Sequence, residues 1–550
     1  MVRGGAIALV ASVAFAPGPT TGQDARPTSI PPPPVPATRA PPSGSDSLPF
    51  ELLWEVRHAS DPRISPDGSR VAYLRHAFDR DLDRAVSRIE LVRSDGGEGG
   101  DVERLTEDWQ QVLTPSFSPR GGEVAYPMLV EGFWEIRLFS PATRTTRTLL
   151  VTPYQPAGMA WSPEGTRIAF TQETPDAPGA RILFLEVAGG RPREATPSDF
   201  GRVSLGERIE WIPGGRALVV AARDSGEVGA GGGGGAAFEI TLANGGVRRL
   251  TDRELRVERP AVSVDGMQLA FVAARGANAP RQLFVQPLDG VSSARPLTGP
   301  GDSEPEHPVW APDGSGVYAV LTRGGASRLA LFRLDGSMRT IVDGVRTDGV
   351  GAPYSVAGLA PSRRVAVAIT RPDVPGEIVT ADPGRSPRAV TSLGWHLEDR
   401  WRAALPVGLP GGGHGWTLEA ASVDGGRASP ADSPLILVHP RALGLAGPAG
   451  FSFEGQALAA AGISVLVGLG PGGGPPTWPE PVPPDGPAAS GLRVRVVPPT
   501  EDDAAAGTEA DLRIAGPGAS GGAAPRPSER IEWLRATVET IRRLRAGEPE

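Results

Sequence analysis

The stretch "DPRISPDGSRVAYLR", residues 61–75, decides the fold. Its centre, Ser65-Pro66-Asp67-Gly68, has the chemistry of a tight turn. Pro presets φ, Asp bonds its own backbone, and Gly accepts a positive φ. The apolar run Val71-Ala72-Tyr73-Leu74 follows and reads as a short strand of alternating apolar residues. Related strings recur: "TPSFSPRGGEVAYPM" from Thr114, "GMAWSPEGTRIAFTQ" from Gly158, "IEWIPGGRALVVAAR" from Ile209, "PAVSVDGMQLAFVAA" from Pro260, "PVWAPDGSGVYAVLT" from Pro308 and "AGLAPSRRVAVAITR" from Ala357. Aligning Pro66, Pro119, Pro163, Pro213, Val264, Pro312 and Pro361 gives spacings of 53, 44, 50, 51, 48 and 49 residues, a period near fifty. Within the first unit "SRIELVRS" (87–94) and "ERLTE" (103–107) supply a third and a fourth strand. Four strands in a unit of this length make a propeller blade, and radial closure removes the exposed sheet edges. Seven units predict an all-β seven-bladed β-propeller over residues 48–395. The aromatics at the turn entrance, Phe117, Trp161, Trp211 and Trp310, are expected to pack between blades. The glycine run at 229–235 is expected to be a flexible loop joining two strands of blade four.

Composition narrows the chemistry. The chain has 550 residues, a net charge of −8 and no cysteine, and all 55 of its basic residues are arginine. Cysteine nucleophiles, thiolate metal sites, disulfides, Ser–Lys dyads and Schiff bases are therefore excluded. The acidic balance argues against a nucleic-acid partner. The six histidines, His58, His76, His307, His396, His414 and His439, show no metal-ligand spacing, so neither a metal nor another cofactor is expected. Arg3 followed by the apolar run "AIALVASVAFA" (6–16) has the form of a signal peptide ending near residue 22. The expected destination is periplasmic or extracellular, with no membrane span. Residues 23–47 form a Pro-rich linker expected to be disordered.

With these units in hand the sequence resembles the prolyl oligopeptidase family, in particular its acylaminoacyl-peptidase and dipeptidyl-peptidase-like serine peptidases. The resemblance is carried by the SPDG-type repeats, by "RPDVPGEIVTAD" (371–382) after the last blade, and by "SPLILVHP" (433–440) followed by "FSFEGQALAAAG" (451–462) and the strand "ISVLVGLG" (463–470). It implies that residues 396–550 form an α/β-hydrolase-like domain, and the aliphatic run in "SPLILVHP" suits a strand of a parallel sheet. The domain is short. Where the family carries its nucleophile elbow, this chain has a Pro/Gly-rich bridge (471–490), expected to be a disordered surface loop, with Trp478 as the anchor if it instead plugs the propeller. It resumes at "LRVRVVP" (492–498) and ends in an amphipathic helix with Ile531, Leu534, Val538, Ile541 and Leu544 on one face, Ser528 as N-cap and Gly547 as stop.

The string "GASGG" (518–522) matches the G-x-S-x-G nucleophile pattern at Ser520. A Ser–Asp–His triad in hydrolase order needs a strand leading into the serine, a helix out of it, and a histidine after it. No histidine follows His439. Aligned on the family's last helix, Ser520 falls in the loop that carries the catalytic histidine, so its match is accidental. In the family a His-Gly-Gly-Pro motif shapes the oxyanion region; here the residues are His439-Pro440-Arg441-Ala442, and Pro440 has no N–H to offer. Glu501, Asp502 and Asp503 echo the loop of the family's acid, but an acid without a histidine to orient has no catalytic role. No catalytic, cofactor-binding or metal residue is therefore assigned. Three readings stay open: a secreted, inactive pseudo-peptidase with a binding or scaffolding role, taking peptides or another protein at the propeller face; an active serine hydrolase with a rearranged site; and the non-functional product of an in-frame deletion. The sequence does not fix the oligomeric state.

Overall fold

In the computed structural model the described residues are 48–96, 102–106, 111–175, 179–197, 200, 203–223, 235–276, 279–301, 304–323, 326–345, 353–358, 363–371, 374–394, 401, 404–409, 413–418, 435–438, 451–469, 493–497, 511–515 and 526–546. The expected signal peptide and linker, the bridge at 471–490, residues 229–234 of the glycine run, His439, Glu501, Asp502, Asp503 and Ser520 lie outside them.

Seven antiparallel sheets, each built from strands consecutive in sequence, occupy residues 58–104, 111–152, 156–194, 210–249, 255–296, 304–343 and 354–389. These are the seven blades. The turn that opens each blade behaves as its residues dictate. In blade 1 the Ser65 N–H donates to the Arg70 carbonyl at 2.8 Å, the Ser69 N–H to Asp67 Oδ1 at 3.0 Å, and Gly68 sits at φ +76°. In blade 7 the equivalent bond runs from Ala357 N to Arg364 O. The longer turn therefore starts three residues before the position that aligning Pro361 implies.

The second strand of blade 1, Arg70–Asp79, is buried at Val71, Ala72, Tyr73 and Leu74 alike. It does not alternate between core and solvent, because each face of a blade packs on a neighbour. Val71 and Tyr73 join Ala366, Ala368 and Ile378 of blade 7, while Ala72 and Leu74 join Tyr126 and Met128 of blade 2. The tryptophans stitch blades together as expected. Trp161, Trp211 and Trp310 are buried, and each indole N–H donates to the inner strand of the preceding blade: to Ser116 O at 3.1 Å, Ala160 O at 3.0 Å and Ala261 O at 3.0 Å. A buried Trp needs such a partner. Phe117, which has no N–H, packs between blades 1 and 2 while only partly buried.

Among the described residues no strand from another blade pairs with blade 7, and side chains join blades 1 and 7. Thr380 Oγ1 donates to Ser94 O at 2.8 Å, and Ile64 N donates to Ser355 Oγ at 2.7 Å.

The C-terminal part is a six-stranded sheet in the order Ala404–Leu409, Gly413–Leu418, Ser464–Leu469, Leu435–Val438, Arg493–Val497, Asp511–Ala515. The first three pair antiparallel and the last four parallel. Helix α1, Phe453–Ala460, carries the crossover between two parallel strands, and the Ser452 hydroxyl caps it by accepting from Gly455 N at 3.0 Å. This is a truncated α/β-hydrolase-like sheet. The strand Arg493–Val497 lies directly beside Leu435–Val438, closing the sheet across the missing segment.

Helix α2, Pro527–Ala546, buries Ile531, Leu534, Val538 and Ile541 against α1. Its start differs from expectation. Pro527 takes the first helical position, which suits its fixed φ and missing N–H, and Ser528 is one residue inside. Its N–H and hydroxyl donate to Asp83, at the tip of the blade 1 hairpin. Residues 48–56, which the repeat count assigns to the propeller, belong instead to this C-terminal core: Leu48, Leu53 and Val56 pack with Leu534, Val538 and Phe453. Among the described residues no helix is long and apolar enough to cross a membrane.

Candidate functional site at the propeller channel

Residues from all seven blades line one cavity of about 750 Å³: Arg63, Thr114, Gly158, Arg208, Arg259, His307 and Tyr354 among them. It is the central channel. Its wall is set by a device repeated along the inner strands. The register shifts between Ser60 and Arg63, Ala157 and Ala160, Glu258 and Ala261, and Glu306 and Val309, so the inner strands of blades 1, 3, 5 and 6 each carry one bulged residue. At each bulge the backbone is left-handed: Asp61 at φ +51°, Gly158 at +61°, Arg259 at +50° and His307 at +51°. Only glycine adopts this conformation without strain.

The side chains on this ring are polarised. On blade 1, Asp61 accepts from Ser60 Oγ at 2.7 Å and from Thr114 Oγ1 at 3.3 Å. Ser60 Oγ is also 2.8 Å from His76 Nε2. The three residues resemble a Ser–His–Asp set in composition but not in geometry. The carboxylate bonds the serine, whereas a triad needs it on the histidine.

On blades 4 and 5 the lining interleaves Arg208, Arg223 and Arg259 with Glu207, Glu210 and Glu258. Arg208 Nε donates to Glu210 Oε1 at 2.5 Å and its Nη1 to the Pro308 carbonyl at 2.5 Å. Arg259 Nη1 lies 2.9 Å from His307 Nδ1. A guanidinium only donates, so Nδ1 accepts and the ring proton of His307 sits on Nε2. Burial, followed by the charges of Arg259, Arg208 and Arg63, pushes the His307 pKa down to about 2. This histidine is neutral. The Tyr354 hydroxyl donates to the His307 carbonyl at 2.5 Å and pins its strained backbone. Burial, with the nearby Arg208 charge adding to it and Asp61 opposing, also lowers the pKa of Arg63. Burial raises the carboxyl pKa of Glu207 and of Glu306, with Arg259 the leading opposing charge at Glu207 and Arg281 at Glu306.

A wider groove of about 1150 Å³ lies at the seam of blades 1 and 7. Its charges neutralise one another, as in Arg364–Asp382 at 3.0 Å, Arg93–Asp95 at 2.6 Å and Arg144–Glu103 at 3.1 Å. The channel is the better candidate.

Over residues 70–351 the sequence matches the TolB β-propeller domain. The chain belongs to that family. The TolB propeller is joined here to an α/β sheet, and solved structures share the arrangement. Pyrococcus horikoshii acylaminoacyl peptidase is similar with a TM-score of 0.58 and 14% identity, covering 76% of this chain and 66% of the peptidase. One of two prolyl endopeptidases studied for inter-domain dynamics in catalysis and specificity matches with a TM-score of 0.50 and 13% identity, covering 76% of this chain and 62% of its own. At these identities the likeness is one of fold, and it agrees with the prolyl oligopeptidase resemblance read from the sequence. An uncharacterized peptidase of Bacillus subtilis, YuxL, is 23% identical over 222 residues, 40% of this chain and 30% of that protein. The chain thus spans less than two thirds of each relative.

The sequence assigned no site residue, and the ring of Arg208, Arg259 and His307 was missed. A signal was present. Asp61, Arg259 and His307 each precede a proline and stand four residues before the first residue of the turn.

Proposed function

We propose that this protein is a peptide-binding propeller whose α/β part no longer supports serine-peptidase chemistry. One observation carries the reading. Ser520, the sole residue fitting the nucleophile pattern in the C-terminal part, lies five residues beyond the end of the strand Asp511–Ala515 and seven before α2 begins at Pro527. A nucleophile elbow needs strand, serine and helix in immediate succession. The lack of any histidine after His439 supports the same reading, because the base follows the nucleophile in hydrolase order. Loss of the nucleophile alone costs about a millionfold in turnover.

The propeller channel is untouched by these losses, and binding is the activity left to it. The apolar run at 6–16 supports export, so the peptides it meets would be extracytoplasmic. A fluorophosphonate probe, which labels activated serines, tests the proposal. The full chain stays unlabelled under conditions that label an intact serine peptidase. Stoichiometric labelling that is lost in Ser520→Ala would overturn it.

A further inference from the structure

We infer that the channel wall made by Arg208, Arg259 and His307 is a receptor for a peptide carboxylate. The inference rests on the peptide-binding reading above and names the chemistry of its ligand.

The backbone supplies the first argument. The bulge demands a left-handed residue, and blade 3 meets the demand with Gly158. Blades 1, 5 and 6 place Asp61, Arg259 and His307 there, although a side chain in this conformation is strained. Strain of this kind persists where the side chain has a task.

For Asp61 the task is internal, since Ser60 and Thr114 donate to it. Arg259 is different. Its side chain is exposed to the channel, its guanidinium meets His307 Nδ1, and among the described residues no carboxylate lies within ion-pair distance of it. His307 supplies no counter-charge, being neutral, and its remaining proton on Nε2 makes it a donor. Arg208 gives one edge to Glu210 and lines the same cavity. Arg259 therefore presents a positive charge, beside the His307 donor, that no carboxylate among the described residues pairs with directly.

This donor set suits an anion with one negative charge. A guanidinium takes a planar carboxylate through two parallel hydrogen bonds. A dianionic phosphate suits the site less well, because the carboxyls of Glu207 and Glu306 stand close enough to feel Arg259. The cavity of about 750 Å³ matches the size of small-ligand sites, roughly 300–1,000 Å³. It accepts a short segment of peptide and no folded domain. A C-terminal carboxylate and an aspartate or glutamate side chain share this chemistry.

Isothermal titration of the full chain separates them. The probes are an acetylated, otherwise uncharged hexapeptide as free acid, the same peptide as amide, and the amide with one internal aspartate. If the C-terminus is the ligand, the acid binds and the amide does not; if a side chain is, the aspartyl amide binds and the plain amide does not. In either case Arg259→Gln weakens binding about ten- to a hundredfold, the worth of a charge-assisted hydrogen bond. Arg259→Gly loses binding likewise while its melting temperature holds or rises, because glycine relieves the backbone strain. Equal binding of all three peptides, unaffected by Arg259→Gln, overturns the carboxylate inference and leaves peptide binding standing. If no peptide binds, both fall.

Discussion

The contact between α2 and α1 gives a sharp test of whether the shortened α/β part is a packed unit. Arg530 Nε donates to Glu454 Oε1 at 2.5 Å, the Glu454 side chain is 1% exposed and that of Arg530 19%. The same guanidinium lies 5.3 Å from the centre of the Phe78 ring, on the blade 1 hairpin. Arg530→Ala leaves a buried carboxylate without its cation. Breaking such a pair costs about 3–5 kcal/mol, and the partial exposure of Arg530 places this case at about 3. Loss of the cation–π contact adds about 1 kcal/mol, giving about 4 in all. Urea denaturation followed by tryptophan fluorescence reads the effect, since Trp401 and Trp533 belong to or pack against this core. The C-terminal transition moves and the propeller transition does not. The double variant Glu454→Gln/Arg530→Met removes both charges and regains most of the loss, because the desolvation cost goes with them. A single variant that shifts stability by less than about 1 kcal/mol would refute the reasoning. So would a double variant as unstable as the single.

Three further outcomes follow from the propeller. The His307 pKa of about 2 lies below the unfolded value of about 6.5. The native state therefore binds fewer protons than the unfolded state, and the stability contributed is present above about pH 6.5 and lost as pH falls below it. His307→Asn, which tolerates the left-handed backbone, flattens that acid limb in a pH series of melting curves. Trp310→Phe keeps an aromatic side chain but removes the donor to the Ala261 carbonyl and costs at least about 1–3 kcal/mol by chemical denaturation. Gly158→Ala brings a Cβ to 2.6 Å from the Glu207 carbonyl at φ +61°, whereas Gly132→Ala, at φ +87°, meets nothing within 4 Å; the first melts well below the second.

The blades were legible because their signal is local: Pro, Gly or both mark the turn within a few residues in every repeat, and outside blade 7 the structure turns where they stand. The strand–helix–strand unit around α1 was legible for the same reason, through the Ser452 cap and the aliphatic runs. What escaped was set by distant partners. Ser528 reads as an N-cap until Asp83 arrives from the propeller. Residues 48–56 adjoin the first repeat in sequence but bury Leu53 against α2. The left-handed positions of Arg259 and His307 sit at strand bulges marked in sequence only by the following proline and the distance to the turn, and no propensity of arginine or histidine announces them.

The central claim is that this chain holds peptides and does not cut them, and mass spectrometry of a peptide mixture tests it directly. Peptides incubated with the full chain, captured with it and then released are predicted to be retained and recovered at their original masses. Recovery of new fragments from the wild-type chain, absent with Ser520→Ala, would contradict the account.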